Sequence, residues 1–334
     1  MNKGDLLTSA YAADTIKPKK TGKEAECVEK KEGLLPIVTA VLGNVFWGFS
    51  FLFTRIALQE TTPEIMLALR FIISFALMNV PLLLGRQKIA LKGKKLLPLL
   101  GLVVSEPIVF FSESYGILHT NATFAGVMVA VAPIFAIALA ALVLKEIPSR
   151  RQLLFCLMPI VGVIIMILAG NSLGVVTPLG VLFLLINCIG IGFYRLCNRW
   201  GGQIFTPFER TYMVLLSCTV VFPSSALLSV NGDVGLILSA AVNPRVILPV
   251  LALCLLCSIG ANMLVNYAAG KMSVAKISAF ASLITLCSTF AGVILLGEPF
   301  NAMSLLGTAL IIIGVWQVSR PELTAEKNKK QGNG

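Results

Sequence analysis

Charged residues are scarce in this chain, and histidine is almost absent. Of 334 residues only 13% are Asp, Glu, Lys or Arg, and His119 is the single histidine. An average soluble domain carries about 25% charged residues, so the composition excludes a water-soluble globular protein. A lone histidine excludes a histidine-rich metal centre, and we expect neither a bound metal nor a cofactor.

Two motifs that would indicate an ATP-driven pump or a zinc enzyme are also missing. The chain contains neither the G-x-x-x-x-G-K-[ST] pattern that cradles nucleotide phosphates nor the H-E-x-x-H zinc motif. Cys254 and Cys257 have the C-x-x-C spacing, but they lie in the apolar run LALCLLCSIG and no second pair completes a tetrahedral site. We therefore expect these cysteines to pack as small hydrophobic side chains.

Apolar sequence, in contrast, is abundant, because 57% of the residues are hydrophobic. A helix of about 20 apolar residues crosses the roughly 30 Å hydrocarbon core of a bilayer. Ten runs of this kind predict an all-α integral membrane protein with ten transmembrane helices. The predicted spans are 34–58, 63–84, 96–117, 120–143, 152–169, 177–197, 208–230, 246–269, 272–296 and 302–319.

The polar segments 1–33 and 320–334 are predicted to be disordered cytoplasmic tails, and the first has no apolar core of a signal peptide. With both tails inside, most of the 27 Lys and Arg residues lie at cytoplasmic ends, as the positive-inside rule requires. On this count Arg195, Arg199 and Arg210, around the adjoining ends of the sixth and seventh spans, lie on the cytoplasmic side. The basic residues behind the net charge of +11 thus lie in loops and tails next to a lipid bilayer, which excludes nucleic acid as a partner.

The two halves of the chain repeat each other. Tyr115 and Tyr267 are 152 positions apart (267 minus 115), and Glu146 and Glu298 have the same separation (298 minus 146). Each half contains five predicted spans, and an odd number turns the second half upside down relative to the first. Two inverted five-helix repeats are typical of secondary transporters, with a substrate site between the halves near the membrane midplane.

The repeated segments resemble the EamA repeat of the drug/metabolite transporter superfamily. They read ESYGILHTNATFAGVMVAVAPIFAIALAALVLKEIPSRRQLLFCLMPIVGVIIMI and NYAAGKMSVAKISAFASLITLCSTFAGVILLGEPFNAMSLLGTALIIIGVW, and the opening VFWGFSFLFTRIAL matches the first helix of that family. The resemblance implies two EamA repeats, over residues 34–169 and 177–319. Spans one to four and six to nine would surround a central cavity, with spans five and ten at its periphery.

The same resemblance implies a location in the cell (inner) membrane and a small metabolite, often an amino acid, as substrate. The chain departs from the family in two places. The ninth span has Thr285 where the family has proline, although the fourth span keeps Pro133, and the third span carries two acidic residues.

Charged residues within predicted spans are functional candidates, because each costs at least about 2.5–3.5 kcal/mol to insert. Arg70 and Glu113 lie at similar depths in the second and third spans, so we expect them to form an ion pair. The pair would either tie the two helices together or present Arg70 to a substrate carboxylate or phosphate. Arg55, near the outer end of the first span, would reach the lipid headgroups.

Glu106 lies near the middle of the third span, seven residues before Glu113 and on nearly the same helix face. No basic residue lies obviously at its depth. It would couple transport to protons or contact a substrate amine; the alternative is a protonated carboxyl bonded to a neighbouring helix. Neutral candidates for the cavity wall are Trp47, Tyr267, Asn44 and Asn262.

Glu146 and Glu298 end helices at opposite faces of the membrane. With Pro133 and Arg55 they are predicted to have structural or gating roles. The simpler interpretation is that each acid caps the helix that follows it.

Taken together, the sequence predicts a secondary carrier that exports an amino acid or related compound, with protons as the coupling ion, and not an enzyme. Uptake of an organic anion or another metabolite by the same fold is the alternative, and a membrane-embedded enzyme or a channel is a remote one. The sequence leaves the oligomeric state open between a monomer and a homodimer.

Overall fold

The computed structural model describes residues 34–132, 134–135, 138–139, 150–168, 176–271, 280 and 282–319. Within these ranges every regular element is a helix. The α-helices are α1 (Leu34–Ala57), α2 (Pro63–Leu83), α3 (Leu97–Leu118), α4 (Ala122–Val129), α5 (Arg150–Leu168), α6 (Pro178–Gly201), α7 (Pro207–Ser229), α8 (Val234–Val242), α9 (Pro244–Ala252), α10 (Asn262–Ala269), α11 (Ser282–Phe290) and α12 (Ala302–Ser319). The π-helical segment Leu253–Ala261 joins α9 to α10, and a second one, Ala291–Leu295, follows α11.

Six helices are long and apolar enough to cross a membrane, and each coincides with a predicted span within a few residues. They are Leu34–Ala57, Pro63–Leu83, Leu97–Leu118, Pro178–Gly201, Pro207–Ser229 and Pro244–Ala269. Three shorter apolar helices lie within the fifth, ninth and tenth predicted spans. Most of the second half of span 120–143, the start of span 272–296, Pro133, Glu146 and both predicted tails lie outside the described residues.

Several helices begin at a short polar residue followed by proline. Thr177 precedes Pro178 and accepts a hydrogen bond from the backbone N–H of Gly180, so it caps α6. Thr206 and Glu209 form a reciprocal capping box at the start of α7. Proline is favoured at the first helical position because its missing N–H would have no partner inside the helix there. These caps set where the helices begin, independently of the apolar pattern.

The short helix α8 was not among the predicted spans. Asp233 caps it by accepting a hydrogen bond from the backbone N–H of Gly235. Its nine residues are mostly exposed, with only Ala240 buried. It is too short to cross a bilayer, so it belongs to the connection between the seventh and eighth spans.

Helix α3 shows the inverted polarity of a membrane helix. Leu100, Val104 and Ile108 form one face and are 55%, 61% and 49% exposed. Glu106 and Glu113 point to the interior and are 5% and 8% exposed. A helix in water would arrange these residues the opposite way, so the surroundings of α3 are lipid and the chain is a multi-pass membrane protein.

Contacts between connecting segments agree with alternation of the spans across a bilayer. On one side Arg245 forms an ion pair with Glu60 at 3.0 Å. At the other end of the helices Lys94 forms an ion pair with Glu209 at 2.8 Å. Each pair joins connections that the predicted order of spans places on the same side of the membrane.

Close helix packing depends on small residues, as in other membrane proteins. Helices α3 and α6 run antiparallel in contact: a Cβ added at Gly101 would lie 2.4 Å from Cys197 Sγ, and one at Gly116 would lie 2.5 Å from Leu184 Cδ2. Helices α5 and α12 meet in the same way at Gly162, where an added Cβ would lie 2.6 Å from the backbone oxygen of Gly307.

Candidate functional site

A cavity of about 160 Å³ lies among the helices and carries charged side chains. Residues of α1, α2, α3, α4, α6, α10 and α11 line it, and α5 and α12 contribute none of the described lining residues. Its polar and aromatic lining consists of Asn44, Trp47, Ser50, Phe51, Arg70, Glu106, Phe110, Glu113, Tyr194, Arg195, Asn198, Arg199 and Asn262. The cavity therefore has charges of both signs on walls that are otherwise apolar.

Arg70 of α2 is only 1% exposed and is held on two sides. Its Nε donates a hydrogen bond to Ser258 Oγ at 2.8 Å, and its guanidinium carbon lies 4.6 Å from the centre of the Phe110 ring. Ser258 belongs to the π-helical segment Leu253–Ala261, and such segments are frequent at functional sites.

The expected ion pair between Arg70 and Glu113 is not formed. Within the described part of the chain the ion pairs join Lys94 to Glu209 and Arg245 to Glu60. Equal depth was the basis of the prediction, but the Arg70 guanidinium stacks on Phe110 and turns towards Ser258 instead. The choice depends on helix rotation, which depth does not reveal.

Glu106 and Glu113 both line the cavity from α3, about 10 Å apart along the helix axis. The Glu106 carboxyl interacts electrostatically with Glu113 and Arg70 and forms a hydrogen bond with the Tyr194 hydroxyl. Among the described residues neither carboxylate has an ion-pair partner. One wall of the cavity thus presents two carboxyl groups that a ligand or a proton can neutralise.

Three of the neutral candidates also line the cavity: Asn44, Trp47 and Asn262. The Asn44 amide donates to the backbone oxygen of Ala40 at 2.7 Å, and the Asn262 amide donates to that of Ser258 at 3.0 Å. One N–H of each amide is therefore used within its own helical turn, which leaves the second N–H and the oxygen of each amide as groups that can bond to a ligand.

Tyr267 and Arg55 lie elsewhere. Tyr267, on α10, is not among the described lining residues of the cavity. Arg55 Nη1 donates to the backbone oxygen of Ile117 at 3.1 Å, at the end of α3, and its contact with the lipid headgroups stays a prediction. A cation there satisfies a terminal carbonyl and is favoured by the helix dipole.

The cytoplasmic side predicted for Arg195, Arg199 and Arg210 stays a prediction, and the structure adds that two of them line the cavity. Helix α6 continues to Gly201, so Arg195 and Arg199 lie on the helix and line the cavity. Their spacing of four residues places them on one face. That spacing was readable from the sequence, but the predicted span ended at residue 197 and the helix continues to Gly201.

Arg210, near the start of α7, is buried and closes this end of the interior. It donates hydrogen bonds to the Asn198 side-chain oxygen and to the backbone oxygens of Asn198 and Asn266, the last at 3.1 Å. The Asn198 amide donates in turn to Asn266 Oδ1 at 2.9 Å. This network joins α6, α7 and α10 through neutral acceptors.

Glu298 does not cap the helix that follows it. Its Oε1 and Oε2 accept hydrogen bonds from the backbone N–H groups of Ala122 and Thr123 at 2.8 and 2.7 Å. These are unpaired donors at the start of α4, in the first half of the chain. The carboxylate therefore connects the two halves, and Asn301 begins the capping interaction with Ser304 that opens α12.

Cys254 and Cys257 are buried, as predicted, and act as small side chains with weak donors. Cys254 Sγ lies 3.1 Å from the backbone oxygen of Arg70, and Cys257 Sγ lies 3.2 Å from that of Phe46.

A solved crystal structure of a protein with 17% sequence identity has the same fold, with a TM-score of 0.60 over 88% of this chain and 98% of that one. Two relatives are transporters by name. The uncharacterized transporter YcxC of Bacillus subtilis (strain 168) is 33% identical over 83% of this chain and 90% of its own length. An uncharacterized transporter of Archaeoglobus fulgidus is 23% identical over 85% of this chain and 98% of its own length.

The model of the EamA-like transporter family matches the chain at residues 34–168 and again at residues 178–320. The two matches cover most of the chain, and the family name indicates a transporter rather than an enzyme. The family resemblance in the sequence is thereby confirmed, and with it a membrane setting and a small-molecule substrate. The chain belongs to the EamA-like transporter family.

Proposed function

We propose that this protein is a secondary active transporter that exports a small polar or amphipathic metabolite, an amino acid or a related compound, across the cell membrane. Ten helices in two inverted five-helix repeats, with both termini in the cytoplasm, would expose the cavity alternately to the two sides. The two family matches and the repeated residues support this arrangement.

The observation that carries the proposal is a charged cavity lined from both halves of the chain. Arg70, Glu106 and Glu113 come from the first family match, and Arg195 and Asn262 come from the second. Buried charges without ion-pair partners destabilise a membrane protein, so a functional role explains their presence better than a structural one.

The size of the cavity supports a small solute. An apolar cavity of about 150 Å³ accommodates one benzene molecule, and this cavity measures about 160 Å³. A solute with one ring or fewer fits without rearrangement. Trp47 and Phe110 supply apolar surface, and the charged residues supply orientation.

We assign proton coupling to Glu106. Its carboxyl is buried, lines the cavity and has the Tyr194 hydroxyl beside it. A carboxyl in this position can hold a proton in one state of the transport cycle and release it in another.

Counterflow in proteoliposomes tests the proposal, with a labelled panel of amino acids, other carboxylates and amines at two pH values. We expect the wild type to exchange at least one of them. Glu106→Gln should still exchange it but fail to concentrate it against a proton gradient. Glu60→Gln, which removes an acidic residue outside the described cavity lining, is the control and should retain concentrative transport.

Loss of both exchange and accumulation in Glu106→Gln would make Glu106 a binding residue and not the coupling site. Absence of exchange across the whole panel by the wild type would contradict the carrier proposal itself. Uptake of an organic anion is the second candidate, favoured by three arginines in the lining. Accumulation driven inwards by a physiological proton gradient would support it over export.

A further inference from the structure

Arg195 has a buried donor without a partner. Its Nη1 is shielded from water and has no hydrogen-bond acceptor within the described part of the chain. The side chain belongs to the cavity lining, and the structure shows it no ion pair among the described residues. A buried guanidinium donor without an acceptor is unfavourable, so an acceptor is expected to arrive from outside the protein.

The two other buried arginines near the cavity, Arg70 and Arg210, each donate to acceptors of the protein. Arg70 donates to Ser258 and stacks on Phe110, and Arg210 donates to Asn198 and Asn266. Arg210 Nε also lacks a partner among the described residues, but Arg210 is not in the described cavity lining, so Arg195 is the cavity arginine with a free buried donor. The sequence left Arg70 between a structural ion pair and contact with a substrate anion, and the structure gives it a hydrogen bond to Ser258 instead.

The register between α3 and α6 places Arg195 near the level of Glu106. Gly101 faces Cys197, and Gly190 faces Val109, so the helices run antiparallel across the cavity wall. Interpolation puts Arg195 about three residues, or roughly 4–5 Å, from Glu106 along the axis. Glu113 lies on the far side of Glu106. Arg195 and Glu106 can therefore bind an anionic and a cationic group of the same solute.

We propose that Arg195 binds the carboxylate of the transported solute and that it determines specificity for solutes that carry one. The proposal rests on the proposed transport function, because the solute that Arg195 binds is taken to be the one that is transported. The lining has three arginines and two glutamates, a formal surplus of one positive charge (3 minus 2). A single carboxylate neutralises that surplus. The planar guanidinium also matches a carboxylate with two parallel hydrogen bonds.

We call the binding of the solute carboxylate by Arg195 the anchor. Ligand-dependent thermal unfolding of the full chain in detergent tests the anchor without requiring transport. The probes are alanine, leucine and phenylalanine, each against its amide, which keeps the amine and removes the carboxylate. We expect at least one amino acid to raise the Tm of the wild type while its amide does not. Arg195→Gln should weaken that amino acid about 10–100-fold, the loss expected for one charge-assisted hydrogen-bonding group.

Two further variants separate binding from folding. Arg195→Lys keeps the charge but loses the planar fork, so an intermediate affinity is expected. Arg86→Gln removes an exposed arginine outside the cavity and should bind as the wild type does. Wild-type affinity in both Arg195→Gln and Arg195→Lys, or equal stabilisation by acids and amides, would overturn the anchor. So would the absence of stabilisation by all three amino acids.

Counterflow of the same amino acids distinguishes the anchor from the transport function. Stabilisation that depends on Arg195 without any exchange would uphold the anchor and contradict the carrier. Exchange of amides as fast as the acids would uphold the carrier and contradict the anchor. Exchange of acids alone, lost in Arg195→Gln, would support both.

Discussion

Glu298 caps the helix that begins beside Thr123, although the two residues belong to different halves of the chain. Its carboxylate accepts the N–H groups of Ala122 and Thr123 at 2.8 and 2.7 Å. Glu298 also donates its own N–H to the backbone oxygen of Gly292 at 3.0 Å. The contact fastens the segment before α12 to the start of α4, so it has to break if the two halves separate at this face.

Removing the Glu298 carboxylate should destabilise the folded protein by breaking its contact with the start of α4. Glu298→Gln keeps the size but loses the charge that favours a helix N-terminus, and we expect the free energy of unfolding to fall by about 1–3 kcal/mol. Thermal unfolding in detergent measures it. Glu60→Gln, which breaks an exposed pair with Arg245, is the control and should cost under about 1 kcal/mol. Equal effects would show that the Glu298 contact is no stronger than a surface pair.

The same contact leaves no room for a side chain at Gly292. A Cβ added there would lie 2.2 Å from Thr123 Oγ1 and 2.5 Å from Glu298 Oε2. Gly292→Ala should therefore lower the Tm, at a cost of about 1–3 kcal/mol for overpacking. Gly270→Ala is the matched control, because its nearest new contact would be 3.5 Å and ordinary. A Gly292→Ala protein as stable as Gly270→Ala would contradict the packing at this face.

The two ion pairs should differ in strength because they differ in burial. Glu209 is 2% exposed and also accepts the N–H groups of Ala90 and Thr206. Double-mutant cycles should give a coupling energy above about 1 kcal/mol for Lys94 with Glu209. The exposed pair of Arg245 with Glu60 should give about 0–1 kcal/mol. Raising the salt concentration should reduce the coupling energy of the exposed pair more. A larger coupling energy for Arg245 with Glu60 than for Lys94 with Glu209 would contradict this prediction.

Arg210 should be a structural residue, in contrast to Arg195. Replacing it with methionine removes the donors for Asn198 and Asn266 and leaves buried acceptors without partners, at about 1–3 kcal/mol each. We expect a loss of folded, monodisperse protein on size-exclusion chromatography in detergent. Arg86→Met, at an exposed position, should leave the elution profile unchanged. Normal folding and stability of Arg210→Met would remove the structural role.

Much of the membrane architecture could be predicted from local sequence. The six long spans were located within a few residues because hydropathy and caps such as Thr177 and Thr206 act over one or two helical turns. The candidates Arg70, Glu106 and Glu113 were identified because a charge within an apolar run is visible without a structure. The structure places all three in one cavity lining.

The partners of these groups could not be predicted in the same way. Depth in the membrane suggested Arg70 with Glu113, and chain order suggested Glu298 with the helix that follows it. The structure instead joins Arg70 to Ser258 and Glu298 to the start of α4. Partners depend on helix rotation and on contacts between residues far apart in the chain.

The sequence by itself determined that this is a membrane protein, where its long helices lie and which family it belongs to, because composition and repeated motifs are properties of the chain alone. Only the tertiary structure decided that Arg195 lines the cavity with a free donor, while both Nη atoms of Arg210 donate to Asn198 and Asn266. The physical reason is that a guanidinium's role is set by the acceptors within about 3 Å of it, and those acceptors come from other helices.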